Sequence, residues 1–151
     1  MTRKQRWTMI AAILGSSMVE EARRRLARFG DRVTFAVADL GGPGLPIQPR
    51  SLDAVLSTAT FHWVPDHDRL FANLATALRP GGRLVAQCGG AGNIASIRSA
   101  IAGTGETWPG PWVFATPAEA ADRLARAGFI DSETWLHDEP TTLEAGAPFE
   151  E

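Results

Sequence analysis

The chain has no tyrosine, one cysteine and 3 histidines among its 151 residues. Without tyrosine no phenolic general acid is available. A lone Cys88 cannot close an internal disulfide, and no Cys or His partner stands at metal-ligand spacing. That excludes a disulfide framework and a zinc site from the pattern, and it favours a reducing, cytoplasmic setting. Neither sign of charge is in excess, with 15 basic against 17 acidic side chains. Such a balance gives no electrostatic footprint for nucleic acid and no attraction to anionic membranes; small neutral or anionic molecules remain as partners. No apolar run approaches the roughly 20 residues needed to span a bilayer. No internal repeat or low-complexity tract is present.

What is present describes one compact domain: 44% apolar and 21% charged residues are ordinary globular usage. The first 14 residues form an atypical N-terminal segment. A basic stretch at 1–6, an apolar octet at 7–14 and the small residues Gly15, Ser16 and Ser17 superficially match a secretory signal. The octet sits at the lower length limit for such a signal, about 7 residues, so a poorly ordered or strand-like start is the preferred reading.

Residues 53–90 carry the clearest pattern. An apolar, β-rich run (Ala54, Val55, Leu56) has the length of a strand buried on both faces. Pro65 and Asp66 then start a helix with Asp68 in its first turn, and Leu70, Phe71, Leu74 and Leu78 recur at three- and four-residue spacing. Arg79, Pro80, Gly81 and Gly82 stop it, and Leu84, Val85 and Ala86 begin another strand. A β-α-β unit of this kind is parallel and right-handed.

Flanking this unit, Ser16 or Ser17 caps a helix with Glu20 and Glu21 near its positive end and Arg23, Arg24, Arg25 and Arg28 further along. Its stripe Met18, Ala22, Leu26 and Phe29 is expected to face a core, leaving the arginines as a solvated face. Gly30 ends it, and residues 33–38 form a strand closing on Asp39 and Leu40. The Gly- and Pro-rich stretch 41–50 is a loop. Residues 93–102 are compatible with a helix and 103–111 form a loop carrying Trp108. Residues 117–127 make a helix with Thr116 as cap and Glu119 in the capping-box position. Gly128 stops that helix, and 129–136 alternate enough for a strand.

In an open α/β sheet, ligands bind outside the carboxyl ends of the strands. The residues there are Asp39 and Leu40, then 57–63, then 87–90. ADL at 38–40, STATFHWVPD at 57–66 and LRPGGRL at 78–84 together resemble class I S-adenosylmethionine-dependent methyltransferases, and the second motif resembles the trans-aconitate methyltransferases within them. The resemblance covers roughly residues 15–136. It implies a partial Rossmann-like α/β fold, an open, mostly parallel sheet with helices on both faces. A partial methyltransferase domain then occupies 15–138, and 139–151 are a frayed acidic tail.

By that resemblance the cofactor is S-adenosyl-L-methionine, and Asp39 accepts a hydrogen bond from the adenine amino group while the backbone N–H of Leu40 meets the ring. The carbonyls of Ser57 and Thr58 match positions that meet the amino group of the cofactor's methionine part, and His62 and Trp63 lie near cofactor and acceptor. Read without the family, Asp39 caps a turn, His62 is a helix-entry histidine and Trp63 a hydrophobic plug. His67 and His137 read as surface residues, and Gln87 and Cys88 as packing.

The sequence departs from the family in three respects. A first strand ending in an acidic residue and a loop of the form E/D-x-G-x-G-x-G are missing; the glycine-rich strings at 41–44 and 89–92 follow the wrong strands. The acidic residue that holds the ribose hydroxyls has Ile13 or Leu14 in its place. The hairpin strand that completes the sheet is also absent, so the chain reads as truncated or as having a displaced start.

Methyl transfer is an in-line displacement, so the protein supplies positioning and desolvation. A carboxylate acceptor needs no base at neutral pH. The expected function is methyl transfer to a small carboxylic acid of the trans-aconitate type, with His62 orienting the acceptor. The alternative is a non-catalytic remnant acting as an interaction module, a homo-oligomer formed through an uncovered sheet edge or face. A relative of the short-chain dehydrogenases is disfavoured, because there is no G-x-G-x-x-G after a first strand and no tyrosine.

Overall fold

The computed structural model describes residues 7–12, 16–106 and 109–140, and side chains from residue 18 onward. Strand β1 (Trp7–Ala12) leads to helix α1 (Ser16–Leu26), a 3-10 segment (Ala27–Arg32) and strand β2 (Val33–Ala38). Strand β3 (Leu52–Thr58), a 3-10 turn (Phe61–Trp63), helix α2 (His67–Ala77) and strand β4 (Leu78–Gln87) follow. Helices α3 (Ala95–Ala102) and α4 (Pro117–Arg126) complete the described elements. Residues 7–12 of the N-terminal octet are thus a strand. Ile13, Leu14, Trp108 and the tail from 141 lie outside the described residues.

The strands pair in parallel, β1 with β2 and β3 with β4, in two separate two-stranded units rather than one continuous sheet. The architecture is the open, Rossmann-like one, divided in the middle. The reason lies in strand order: in a doubly wound sheet the first strand sits between the second and the fourth. Among the described residues no strand pairs with both β1 and β3.

The core forms where α2 meets the strands. Leu40, Phe61, Val64, Leu70, Phe71 and Leu74 make one buried cluster, and Val55, Leu84, Leu124, Ala127 and Phe129 pack against it. The predicted stripe of α2 is the buried one: Leu70, Phe71, Leu74 and Leu78 are all inside. Leu70 and Val64 are fully buried, each stabilising the fold by about 1.5–3 kcal/mol relative to exposure. The caps form as their sequences dictate. Asp66 accepts from the Arg69 N–H at 2.9 Å, and Thr116 and Glu119 close a reciprocal capping box. Helix α4 docks on the core through Leu124 and reaches α2 through an exposed Arg126–Asp68 pair at 2.6 Å.

Several expectations are corrected. Helix α2 ends at Ala77, and Leu78 already begins β4; Leu52 pairs with Leu78 and Ala54 with Arg83, so the intervening residues bulge out, with Gly81 at φ +75°. Helix α1 buries Val19, while Met18 is 55% exposed; Ala22, Leu26 and Phe29 of the expected stripe are half-buried. Glu21 pairs with Arg24 and Arg25 on the exposed side, as a solvated face requires. Residues 129–136 form no strand: Asp131 bends the segment at φ +53°, and Ile130 and Trp135 are exposed. Alternation supplies a strand's pattern, but without a neighbouring strand there is nothing for its N–H and C=O groups to pair with.

Candidate functional site

The exits of β3 and β4 are joined by hydrogen bonds, and the loop leaving β2 is held by Asn73 of α2. After β2, Asp39 is exposed and Leu40 buried. The Asp39 Oδ1 accepts from the Gly41 N–H at 2.9 Å, which folds the chain into an Asx turn. The backbone packs closely behind it, since a Cβ on Gly42 would stand 3.2 Å from the Asp39 carbonyl oxygen. Asn73 of α2 donates to the Leu40 and Gly42 carbonyls at 2.9 and 3.0 Å. The turn reading of Asp39 therefore holds, and its carboxylate still faces outward at the end of β2.

After β3, Ser57 and Thr58 run into Ala59, whose φ is +52°. A non-glycine residue in this region stores strain of about 1–3 kcal/mol. The turn is held by the Ala59 N–H donating to the Gln87 carbonyl at 2.8 Å and the Thr60 hydroxyl to the Thr58 carbonyl at 2.9 Å. It delivers Phe61 into the core and leaves His62 and Trp63 half-buried.

His62 links this exit to the one after β4. The Gly89 N–H donates to His62 Nδ1 at 3.2 Å. Because Nδ1 accepts, the ring proton of the neutral imidazole resides on Nε2. Burial, and secondly the repulsion that joint protonation with His67 would bring, lower the pKa of His62, so the neutral Nε2–H donor is the form present at neutral pH. The ring lies 5.5 Å from Trp63 and 5.8 Å from Phe114; Trp63 lies 5.3 Å from Trp112, which stacks on Phe114 at 6.0 Å. The His62 carbonyl accepts from the Val113 N–H at 2.9 Å. This aromatic wall escaped the sequence reading, although the density of aromatics in PWVF at 111–114 is a visible signal.

His67 is not a surface residue. It is 6% exposed, and its Nε2 donates to the Phe61 carbonyl at 3.0 Å. Its Nδ1 faces the Arg123 guanidinium at 3.3 Å; since arginine only donates, Nδ1 accepts and the ring is neutral. Burial is the main cause of its lowered pKa, with Arg123 acting the same way and the Phe61 contact, Asp68 and Asp66 opposing. His137 is exposed as expected. Gln87 and Cys88 are exposed rather than packed. The Cys88 thiol pKa is nonetheless raised, chiefly by burial of the sulfur, against a backbone hydrogen bond of His62; it is no activated thiolate.

Among the described residues no group of His, Cys, Asp and Glu could hold a metal ion, and no helix is long and apolar enough to cross a membrane.

Comparison with known proteins accounts for this arrangement. Residues 2–86 match the family model described as a methyltransferase domain. The chain is 29% identical over 129 residues to the malonyl-[acyl-carrier protein] O-methyltransferase of Xylella fastidiosa, covering 83% of this chain and 42% of that protein. It is 34% identical to the trans-aconitate 2-methyltransferase of Rhizobium leguminosarum over 71% of this chain and 38% of that one. The chain thus spans less than half the length of these relatives. Among solved structures, phosphoethanolamine N-methyltransferase 2 of Haemonchus contortus in complex with S-adenosyl-L-methionine superposes with a TM-score of 0.63 at 25% identity, covering 81% of this chain and 27% of that one. With more than half of its residues inside the methyltransferase-domain model, the chain belongs to the S-adenosylmethionine-dependent methyltransferase family.

Proposed function

We propose that this chain carries the adenine-facing and acceptor-facing corner of a methyltransferase acting on a small carboxylic acid of the trans-aconitate type. The observation that carries the reading is the outward Asp39 at the exit of β2 together with the strained turn after Thr58 and the neutral His62 at the hydrogen-bonded exits of β3 and β4. Two relatives' names, malonyl and trans-aconitate, both denote carboxylate-bearing acceptors.

The cofactor, S-adenosylmethionine, supplies an electrophilic methyl group when bound. The residues present fit it at one end. Asp39 offers an outward carboxylate for the adenine amino group, and its loop is already fixed by Asn73. The Leu40 N–H follows directly. The carbonyls of Ser57 and Thr58 fit an ammonium group; that of Thr58 keeps one lone pair after accepting from Thr60. Trp63 stands beside His62 as part of the wall. At the methionine end no loop of the form E/D-x-G-x-G-x-G follows a strand in this sequence, and no step is assigned to residues there. His62 acts as a donor: its Nε2–H orients a carboxylate oxygen without removing a proton, which an ionised acceptor does not require.

The test is calorimetric titration with S-adenosylhomocysteine. Asp39→Asn keeps the Asx turn but presents an amide in place of the anion, whereas Asp39→Ala removes both. A hydrogen bond to a charged group is worth about 1.5–3 kcal/mol, so both variants are expected to bind at least about tenfold more weakly. Unchanged affinity in both refutes the role of Asp39. A folded chain giving no heat supports the second reading, a non-catalytic interaction module, which the exposure of Leu56 and Val85 on one sheet face favours.

A further inference from the structure

The turn that carries His62 is held from three sides, and one of them is a run of consecutive residues at the exit of β4. The Gln87 carbonyl accepts from the Ala59 N–H at 2.8 Å, the Cys88 sulfur accepts from the His62 N–H, and the Gly89 N–H donates to His62 Nδ1 at 3.2 Å. From the aromatic wall, the Val113 N–H donates to the His62 carbonyl at 2.9 Å. From α2, His67 Nε2 donates to the Phe61 carbonyl at 3.0 Å. That carbonyl also accepts from the Val64 N–H at 2.9 Å, so both of its lone pairs are used. Ala59, at φ +52°, begins the turn, and such strain persists only where the surrounding contacts over-determine the conformation.

The Phe61 carbonyl and the His62 N–H belong to one planar peptide unit. His67 holds one edge of that plane and Cys88 the other, and the His62 side chain leaves from its corner. With the backbone N–H, the carbonyl and Nδ1 engaged, Nε2–H is the polar group of His62 left without a protein partner among the described residues. No buried side-chain nitrogen or oxygen among those residues lacks a partner, so Nε2–H is open to a ligand.

We propose that Cys88 and His67 are positioning residues for His62: by holding opposite edges of the peptide that joins Phe61 to His62, they fix the direction in which the Nε2–H donor points. Cys88 acts through its sulfur lone pairs, and no thiolate is required. Arg123 keeps His67 in the tautomer this arrangement needs. Its guanidinium faces Nδ1 at 3.3 Å; with the ring proton moved to Nδ1, donor would meet donor there, and a bare Nε2 would face the Phe61 carbonyl. Both contacts would turn repulsive. The identity of what Nε2–H meets, a carboxylate oxygen, rests on the function proposed above.

The test uses the full chain, isotope-labelled at its backbone and imidazole nitrogens, without cofactor or acceptor. Long-range proton–nitrogen spectra report which ring nitrogen of His62 is protonated, and hydrogen exchange reports the Gly89 amide. Cys88→Ala deletes the acceptor at an exposed residue, and His67→Leu deletes the donor. Each is expected to speed Gly89 exchange about tenfold, the loss of one hydrogen bond, and to give the His62 ring a mixture of tautomers. Cys88→Ser retains an acceptor and His67→Gln an N–H donor, so both are expected to keep the wild-type pattern. Should His67→Leu fail to fold, the two Cys88 variants decide. A lower melting temperature with Gly89 exchange and the His62 ring signals unchanged marks a structural role only and overturns the proposal. So does a serine or glutamine variant that behaves like its deletion. Because neither ligand enters the readout, failure to bind S-adenosylhomocysteine counts against the proposed function alone.

Discussion

His67 gives the sharpest test of how the site turn is held. Its Nε2–H satisfies the buried Phe61 carbonyl, and its ring packs edge-on against Phe71 at 6.0 Å. Replacing it with alanine leaves that carbonyl unpaired, at about 1–3 kcal/mol, and opens a cavity beside Phe71, for a total of about 2–4 kcal/mol. In a chain of this length that corresponds to a fall of about 10 °C in melting temperature. His67→Gln retains an N–H donor and is expected to lose less.

The pH dependence is more diagnostic. The folded-state pKa of His67 is lowered, so below its unfolded value of about 6.5 the unfolded chain binds more protons. Stability is fully present above that value and is lost as pH falls towards the folded pKa. His62 shifts in the same direction, and Arg123, Asp66 and Asp68 are the charged groups that face His67. Thermal and urea melts at pH 7.5 and about 5.5 should show wild type losing stability on acidification and His67→Gln losing distinctly less. An identical pH slope in the two proteins, or an alanine variant as stable as wild type, refutes this account.

Two further outcomes follow from the structure. Thr116→Ala removes the reciprocal cap of α4 and is expected to cost about 1 kcal/mol, read by urea unfolding. Gly89→Ala brings a Cβ to 2.7 Å from the Phe114 ring and 2.4 Å from Asn93; an overpacking cost of about 1–3 kcal/mol and an altered tryptophan emission spectrum are expected as the wall moves away from His62.

The elements governed by local rules were legible in the chain. The α2 stripe, the Asp66 cap, the Thr116–Glu119 box and the β2 limits follow from spacing and from side chains that bond to nearby backbone, and the structure reproduces them. The motifs at the strand exits also identified the family. Burial was less legible. His67 looks like a polar first-turn residue, yet α4, 56 positions away, brings Arg123 against it. Met18 and Val19 are adjacent and both apolar, and only the packing of α1 selects Val19 for burial.

The sequence by itself therefore determined the local elements and the residue types at the strand ends, because periodicity, capping and turn chemistry act over a few residues. The tertiary structure alone decided the neutral Nε2–H form of His62, the burial of His67, the pairing of strands into two units and the bare face at Leu56. Each of these depends on which distant backbone group or element arrives beside it, and no short-range pattern encodes that.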